Sequence, residues 1–159
     1  MARTVLDASA LIAGLLGEPA RGQVEAILRQ QPAPSISAVN LCEAVDRLVR
    51  IGKWSAVAVR QRVNWLIAGG LAIEPVWFPI ARLAGGLRAE HYHCTDRPLS
   101  VADCVCLATA MRLEADLATT DAHLAGLART LGVGVVALPN SAGQLASSIA
   151  LVSEGGAAR

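Results

Sequence analysis

Aromatic residues make up only 3% of this 159-residue chain, and charged residues only 17%. So few rings offer little stacking surface for a single-stranded nucleic acid. Trp54, Trp65, Trp77, Phe78 and Tyr92 fall mostly in helical patterns, so the core or an interface is their expected place. Cysteine is also sparse. Cys42, Cys94, Cys104 and Cys106 include no C-x-x-C pair, and His91, His93 and Cys94 find no second cluster that would complete a zinc site. Buried, reduced thiols are expected, and with them a cytoplasmic location.

Other absences narrow the class further. There is no G-x-x-x-x-G-K-[ST] loop and no strand-following G-x-G-x-x-G, which leaves nucleotide-binding enzymes without support. The uncharged stretch Val63 to Ile73 is about half of what a membrane span needs. Arg3 and the apolar run from Ala10 to Leu16 superficially resemble a secretory leader, but Asp7 breaks the pattern and no small-residue cleavage site follows. A protein without a membrane anchor is expected.

What is present is apolar, at 53% of residues, in a chain the size of one domain. Such a surplus suggests that some apolar surface serves an interface. Net charge is +1, from 14 basic and 13 acidic residues. If four acids share one metal site, nine acids face 14 bases elsewhere, which leaves +5 for a polyanionic substrate.

Along the chain, strand and helix patterns alternate. Thr4-Val5-Leu6 reads as a buried strand that stops at Asp7, and a helix capped by Asp7 or Ser9 runs to Leu16, where Gly17 and Pro19 end it. Ala20 to Gln30 is amphipathic through Val24, Ile27 and Leu28. Ser35-Ile36-Ser37 is a short strand. The helix Ala38 to Ile51 should turn Val39, Leu41, Cys42, Val45, Leu48 and Val49 inward. Ser55 to Ala68 is helical, and Leu71 to Pro75 a strand. Trp77 to about Tyr92 is a helix interrupted near Gly85-Gly86, and His93 to Leu99 is a loop. Ser100 caps a helix to Leu113, with Asp103 completing a capping-box-like pair. Asp116 to Thr119 is a strand, Asp121 caps a helix through Leu131, and Val133 to Leu138 is the last strand. A weak helix over Gln144 to Val152 and a frayed end complete the chain. This alternation predicts an α/β fold, a three-layer α/β/α sandwich around a short, mostly parallel sheet. No repeats or interdomain linker appear.

Four acids stand at or beside element starts: Asp7, Glu43, Asp103 and Asp121. In a parallel sheet such positions gather at one edge, where unshielded carboxylates repel and raise each other's pKa values. A cation is expected among them. Hard divalent ions take oxygen ligands, and clusters made only of carboxylates suit metal-assisted phosphodiester chemistry. Simpler roles compete. Glu43 has Arg47 one turn on and Asp46 has Arg50; the ligand role is preferred for Glu43 and the ion pair for Asp46. Asp103 and Asp121 also suit helix starts, a role compatible with metal binding.

Four separate pieces resemble the PIN-domain ribonucleases, most closely VapC-type toxins of type II toxin–antitoxin pairs. They are Thr4-Val5-Leu6-Asp7-Ala8-Ser9-Ala10-Leu11, Ser37-Ala38-Val39-Asn40-Leu41-Cys42-Glu43-Ala44, Leu99-Ser100-Val101-Ala102-Asp103-Cys104 and Leu117-Ala118-Thr119-Thr120-Asp121. The resemblance spans about residues 3 to 138, so a PIN-like nuclease domain over residues 1–139 and a C-terminal tail over 140–159 are expected. It implies an endoribonuclease dependent on Mg²⁺ or Mn²⁺, usually a homodimer, held inactive by a small VapB-like antitoxin. By the same match Asp7, Glu43, Asp103 and Asp121 would hold the metal, and Ser9, Asn40, Ser100 and Thr119 would orient carboxylates, waters or the scissile phosphate. One departure stands out: some family members carry another acid two positions after the fourth, where this chain has His123.

Rival readings remain open at this level. A haloacid-dehalogenase-like phosphatase also ends its first strand in Asp, but wants a second Asp where Ser9 stands. A receiver-like signalling module leaves the Glu43 segment unexplained. A catalytically idle PIN scaffold that binds RNA or an antitoxin would not require all four acids.

Overall fold

The computed structural model describes residues 3–145. The expected helix over Gln144 to Val152 and the expected frayed end lie almost wholly outside the described residues. Five strands, β1 (Thr4–Leu6), β2 (Ser35–Ser37), β3 (Ala72–Glu74), β4 (Asp116–Thr119) and β5 (Val135–Ala137), form one sheet in the order β3-β2-β1-β4-β5. Every pairing is parallel, with Leu6 opposite Ile36 on one side and Ala118 on the other. The helices are α1 (Ala8–Leu16), α2 (Arg21–Leu28), α3 (Ala38–Arg50), α4 (Ala56–Ala68), α5 (Phe78–His91), α6 (Val101–Leu113) and α7 (Ala122–Thr130).

Strand side chains alternate between two cores. Val5 and Leu117 point into a layer filled by α5, α6 and α7 through Ile80, Leu87, Leu107 and Leu124. Leu6, Ile36 and Ala118 face the other way, into a layer filled by α1 to α4 through Leu11, Val24, Leu48 and Val59. Period-2 alternation in three-residue strands is thus enough to glue both faces of the sheet, each fully buried aliphatic side chain contributing roughly 1.5–3 kcal/mol. From β1 the chain winds outward through β2 to β3, then returns to β4 beside β1 and winds to β5 on the other side. The direction reverses between β1 and β4, and a crevice forms at such a reversal, outside the carboxyl ends of the strands.

Three local expectations are corrected. The helix α5 runs through Gly85 and Gly86 without a break, because neither glycine faces a neighbour while Ile80, Ala84 and Leu87 anchor it on α6. In α3 the buried stripe is Asn40, Ala44 and Leu48, so Cys42 and Val49 point to solvent. Cys94 is exposed as well; only Cys104 and Cys106 are the buried thiols expected of all four. Trp65, Trp77, Phe78 and Tyr92 are exposed rather than core, which leaves an interface as their expected role. Among the described residues no helix is long and apolar enough to cross a membrane.

One close approach fixes how α1 meets α2. A Cβ on Gly14 would stand 2.7 Å from Val24 Cγ1, on a side chain that is itself buried. Gly14→Ala is therefore expected to lower stability by about 1–2 kcal/mol, overpacking outweighing the gain in helix propensity. Urea denaturation midpoints check it.

Candidate active site

Asp7 follows β1 directly and lies at the strand reversal, 2% exposed. Its backbone N–H still donates to Ala118 O of β4 at 2.9 Å, so the residue is locked to the sheet before α1 begins. Its Oδ2 accepts from Ser9 Oγ at 2.5 Å, Thr119 Oγ1 at 3.0 Å and Ser9 N at 3.3 Å. Its Oδ1 accepts from Asn40 Nδ2 at 3.1 Å. The two hydroxyls are oriented in turn, because Ser9 Oγ accepts from Thr120 N and Thr119 Oγ1 from Asp121 N. With their lone pairs engaged by backbone donors, both hydroxyls are set to donate to the carboxylate.

The Asn40 side chain joins three elements. Its Nδ2 donates both to Asp7 and to Ala102 O at 3.2 Å, while Ser37 Oγ donates to its Oδ1. This ties β1, the start of α3 and the first turn of α6 together. Ser37, given no role by sequence reasoning, thereby fixes which way the amide points and also caps α3. Asn40→Ala would leave a buried carboxylate oxygen and the Ala102 carbonyl short of a donor. A loss of about 2–4 kcal/mol is expected, measured by chemical denaturation.

Asp103 and Ser100 form a reciprocal capping box on α6, with Ser100 N donating to Asp103 Oδ2 at 2.6 Å and Asp103 N to Ser100 Oγ at 3.0 Å. Ser100 therefore holds Asp103 rather than joining the Asp7 network. Asp121 caps α7, its Oδ1 accepting from Leu124 N at 2.8 Å. Glu43 lies on the second turn of α3, 3.7 Å from Arg47.

The acids sense one another. Burial raises the Asp7 carboxyl above its ordinary range, opposed by the Ser9 and Thr119 hydroxyls. Burial also raises Glu43, with Asp7 adding to it and Arg47 opposing. Asp103 is pushed up to about 6, first by burial and further by the Asp7 and Asp121 carboxylates, against the Ser100 backbone bond. Beneath them the buried Cys106 thiol is raised by burial and by the fields of Asp7, Asp103 and Glu43. Asp7 thus acts on both Glu43 and Asp103, and Asp121 acts on Asp103.

Among the described residues neither Asp7, Asp103 nor Asp121 has an ion-pair partner, and Arg47 alone sits against Glu43. The starts of α1, α3, α6 and α7 supply part of the missing positive potential, since helix N-termini favour anions. The acids do not close into a cage: among the described residues no three His, Cys, Asp or Glu side chains stand close enough to hold an ion by themselves. Hard oxygens in an open arrangement nonetheless fit Mg²⁺, which keeps several waters and uses one or two carboxylates together with substrate phosphate.

The fold recurs in solved structures. A toxin–antitoxin complex from Klebsiella pneumoniae superposes with a TM-score of 0.60 at 23% identity, over 84% of this chain and 95% of that one. VapC20 of Mycobacterium tuberculosis, described as a sarcin–ricin-loop-cleaving toxin, gives 0.59 at 17% identity over 74% and 87%. A DNA-bound VapBC from Salmonella typhimurium gives 0.58 at 18% identity over 86% and 98%. No curated protein sequence matches significantly. The sequence does match the PIN domain family over residues 4–130, a span that takes in β1 through α7 and every acid of the site, and the chain belongs to that family.

Proposed function

We propose that this PIN-domain protein is a divalent-metal-dependent endoribonuclease acting as the toxin of a type II toxin–antitoxin pair in the cytoplasm. The observation that carries the proposal is the buried Asp7 carboxylate, bonded among the described residues only to neutral donors and raising the pKa values of Glu43 and Asp103. A cation would favour the charged form of such a group, and among the described residues none pairs with it. The similar structures described as toxins and toxin–antitoxin complexes support the biological setting.

Asp7, Glu43, Asp103 and Asp121 would hold Mg²⁺ or Mn²⁺, directly or through water. When bound, the ion supplies an activated water at neutral pH and screens charge growing on the scissile phosphate. The chain's own part is positioning. Ser9, Thr119 and Asn40 hold Asp7 in one rotamer, so no reorganisation is required when the substrate arrives. The Ser100 backbone N–H does the same for the Asp103 carboxylate. The four helix starts favour a phosphate as they favour the carboxylates.

A small VapB-like antitoxin and a second copy of the chain are the proposed partners. Trp65 and Phe78, 69% and 77% exposed, belong to apolar surface that either would cover. The deciding assay is cleavage of structured RNA with Mg²⁺ or Mn²⁺, repeated in EDTA. Metal-dependent cutting of phosphodiester bonds is expected. Cutting that persists in EDTA would reject the mechanism, and turnover of a simple phosphomonoester alone would favour a phosphatase. Antitoxin or RNA binding without cleavage would mark an idle scaffold.

A further inference from the structure

The helix α5 packs into its layer through Ile80, Ala84 and Leu87, and one flank of it is left bare. Arg82, Gly86 and Glu90 follow one another there at four-residue steps, all exposed, and so form one ridge of the helix surface. Along that ridge Leu83 and Leu87 floor a groove of about 340 Å³. At Gly86 no atom lies within 4 Å of where a side chain would begin.

Within the fold this arrangement has no use. Glycine holds an exposed helix interior less well than alanine, and no close contact of this chain demands it at Gly86. A glycine beside a groove does let a second helix come near. The charges say which helix. Arg82 and Glu90 stand equally far to either side of Gly86, with opposite sign. Among the described residues Arg82 has no carboxylate partner, and Glu90, its side chain 75% exposed, has only His91 at 3.9 Å. Turned end for end about Gly86, the ridge is complementary to itself. Arg82 of one copy meets Glu90 of the other, and symmetry repeats the pair.

Resting on the reading that gives this chain a second copy as partner, we propose that the Arg82, Gly86 and Glu90 flank of α5 is the seat of that copy, with two α5 helices crossing antiparallel and their glycines at the closest point. Leu83 and Leu87 supply the apolar centre. The two ion pairs fix the register and reject a parallel arrangement, in which Arg82 would face Arg82.

The test is the oligomeric state of the full chain, read by sedimentation velocity over a concentration series. A dimer is expected for wild type. Arg82→Glu and Glu90→Arg are each expected to raise its dissociation constant about ten- to a hundredfold, since each substitution turns both symmetric attractions into repulsions. An equimolar mixture of the two variants should associate as tightly as wild type, because every glutamate of the pair then faces an arginine. Gly86→Leu should also block the dimer while keeping the helical signal in circular dichroism, as no atom of its own chain stands in the way. Variants that dimerise like wild type, or a mixture no tighter than its separate components, overturn the inference while leaving the second copy a partner through another surface. Wild-type chain that stays monomeric at about 100 µM overturns it and removes the second copy from the reading, although metal-dependent RNA cutting by that monomer would keep the nuclease. Protection of α5 from hydrogen exchange only when a VapB-like antitoxin is co-expressed would overturn it as well, and give the groove to that partner.

Discussion

Asp7→Asn is expected to abolish RNA cleavage, by at least about a thousandfold, or roughly 4 kcal/mol of transition-state stabilisation. The substitution keeps size and shape but removes the buried charge. The amide can turn its oxygen toward Asn40 Nδ2, but its nitrogen then faces the Ser9 N–H, which loses its acceptor, and the Ser9 and Thr119 hydroxyls, which must turn from donating to accepting. No hole opens, and the cost is one N-cap bond. Without metal the variant should therefore melt within a few degrees of wild type, the lost bond set against relief of the uncompensated carboxylate. Metal titration of both proteins, followed by thermal melts, supplies the control: the ion should raise the wild-type midpoint and leave the variant's nearly unmoved. A variant that cuts RNA at the wild-type rate would remove Asp7 from the mechanism. One that fails to fold would show the carboxylate to be structural.

The pairing of activity with melting behaviour matters because Asp7 does two jobs that sequence alone cannot separate. A strand that ends in an acid and passes into an apolar helical pattern is legible from the residues, and so is the N-cap, since both depend on neighbours within a few positions. The placing of Asp7 and Asp121 just beyond the carboxyl ends of β1 and β4 was legible as well, because parallel strands separated by helices leave those ends on the same side. The reversal between β1 and β4 was not, since strand order depends on packing between distant segments.

Asn40 shows where local patterns mislead. An apolar count rotates α3 so that Cys42 and Val49 face inward, whereas the buried stripe is centred on a polar residue that serves Asp7 and Ala102. A helix whose core face carries an amide reads as a weaker, displaced stripe until the buried acid it bonds is known. In α5 the error runs the other way: two adjacent glycines lower intrinsic helicity, but tertiary burial of Ile80, Ala84 and Leu87 outweighs them. The role of Ser37 gave no sequence signal beyond an S-x-x-N start.

In metal-free buffer the stability of the chain should fall as pH rises from about 4 to about 7, and Asp103 supplies a measurable part of that slope. Its carboxyl is raised from 3.8 to about 6 in the folded state. Between those values the folded chain keeps a proton that the unfolded chain has lost, so the unfolded state binds fewer protons and unfolding becomes easier with each step upward. Below the lower value both states are protonated and nothing is lost; above the upper one both are charged and the full penalty is present. Each pKa unit is worth about 1.4 kcal/mol, and with partial exposure discounting the shift a loss on the order of 1–2 kcal/mol is expected for this group. Asp7 and Glu43 shift in the same direction and add to the slope. Glu25 and Asp46 shift the opposite way beside Arg21 and Arg50, but they cancel when wild type is compared with Asp103→Asn. The difference in unfolding free energy between those two proteins should therefore grow in favour of the variant as pH rises through 4 to 7. A saturating divalent ion should reverse the trend, because it binds only the charged acids of the folded state. At a hundred times its dissociation constant it adds about 2.7 kcal/mol, or roughly 5–10 °C for a chain of this size. A difference that stays flat with pH, or a melting point that ignores Mg²⁺ and Mn²⁺ at pH 7, would mean that these carboxylates do not share a cation.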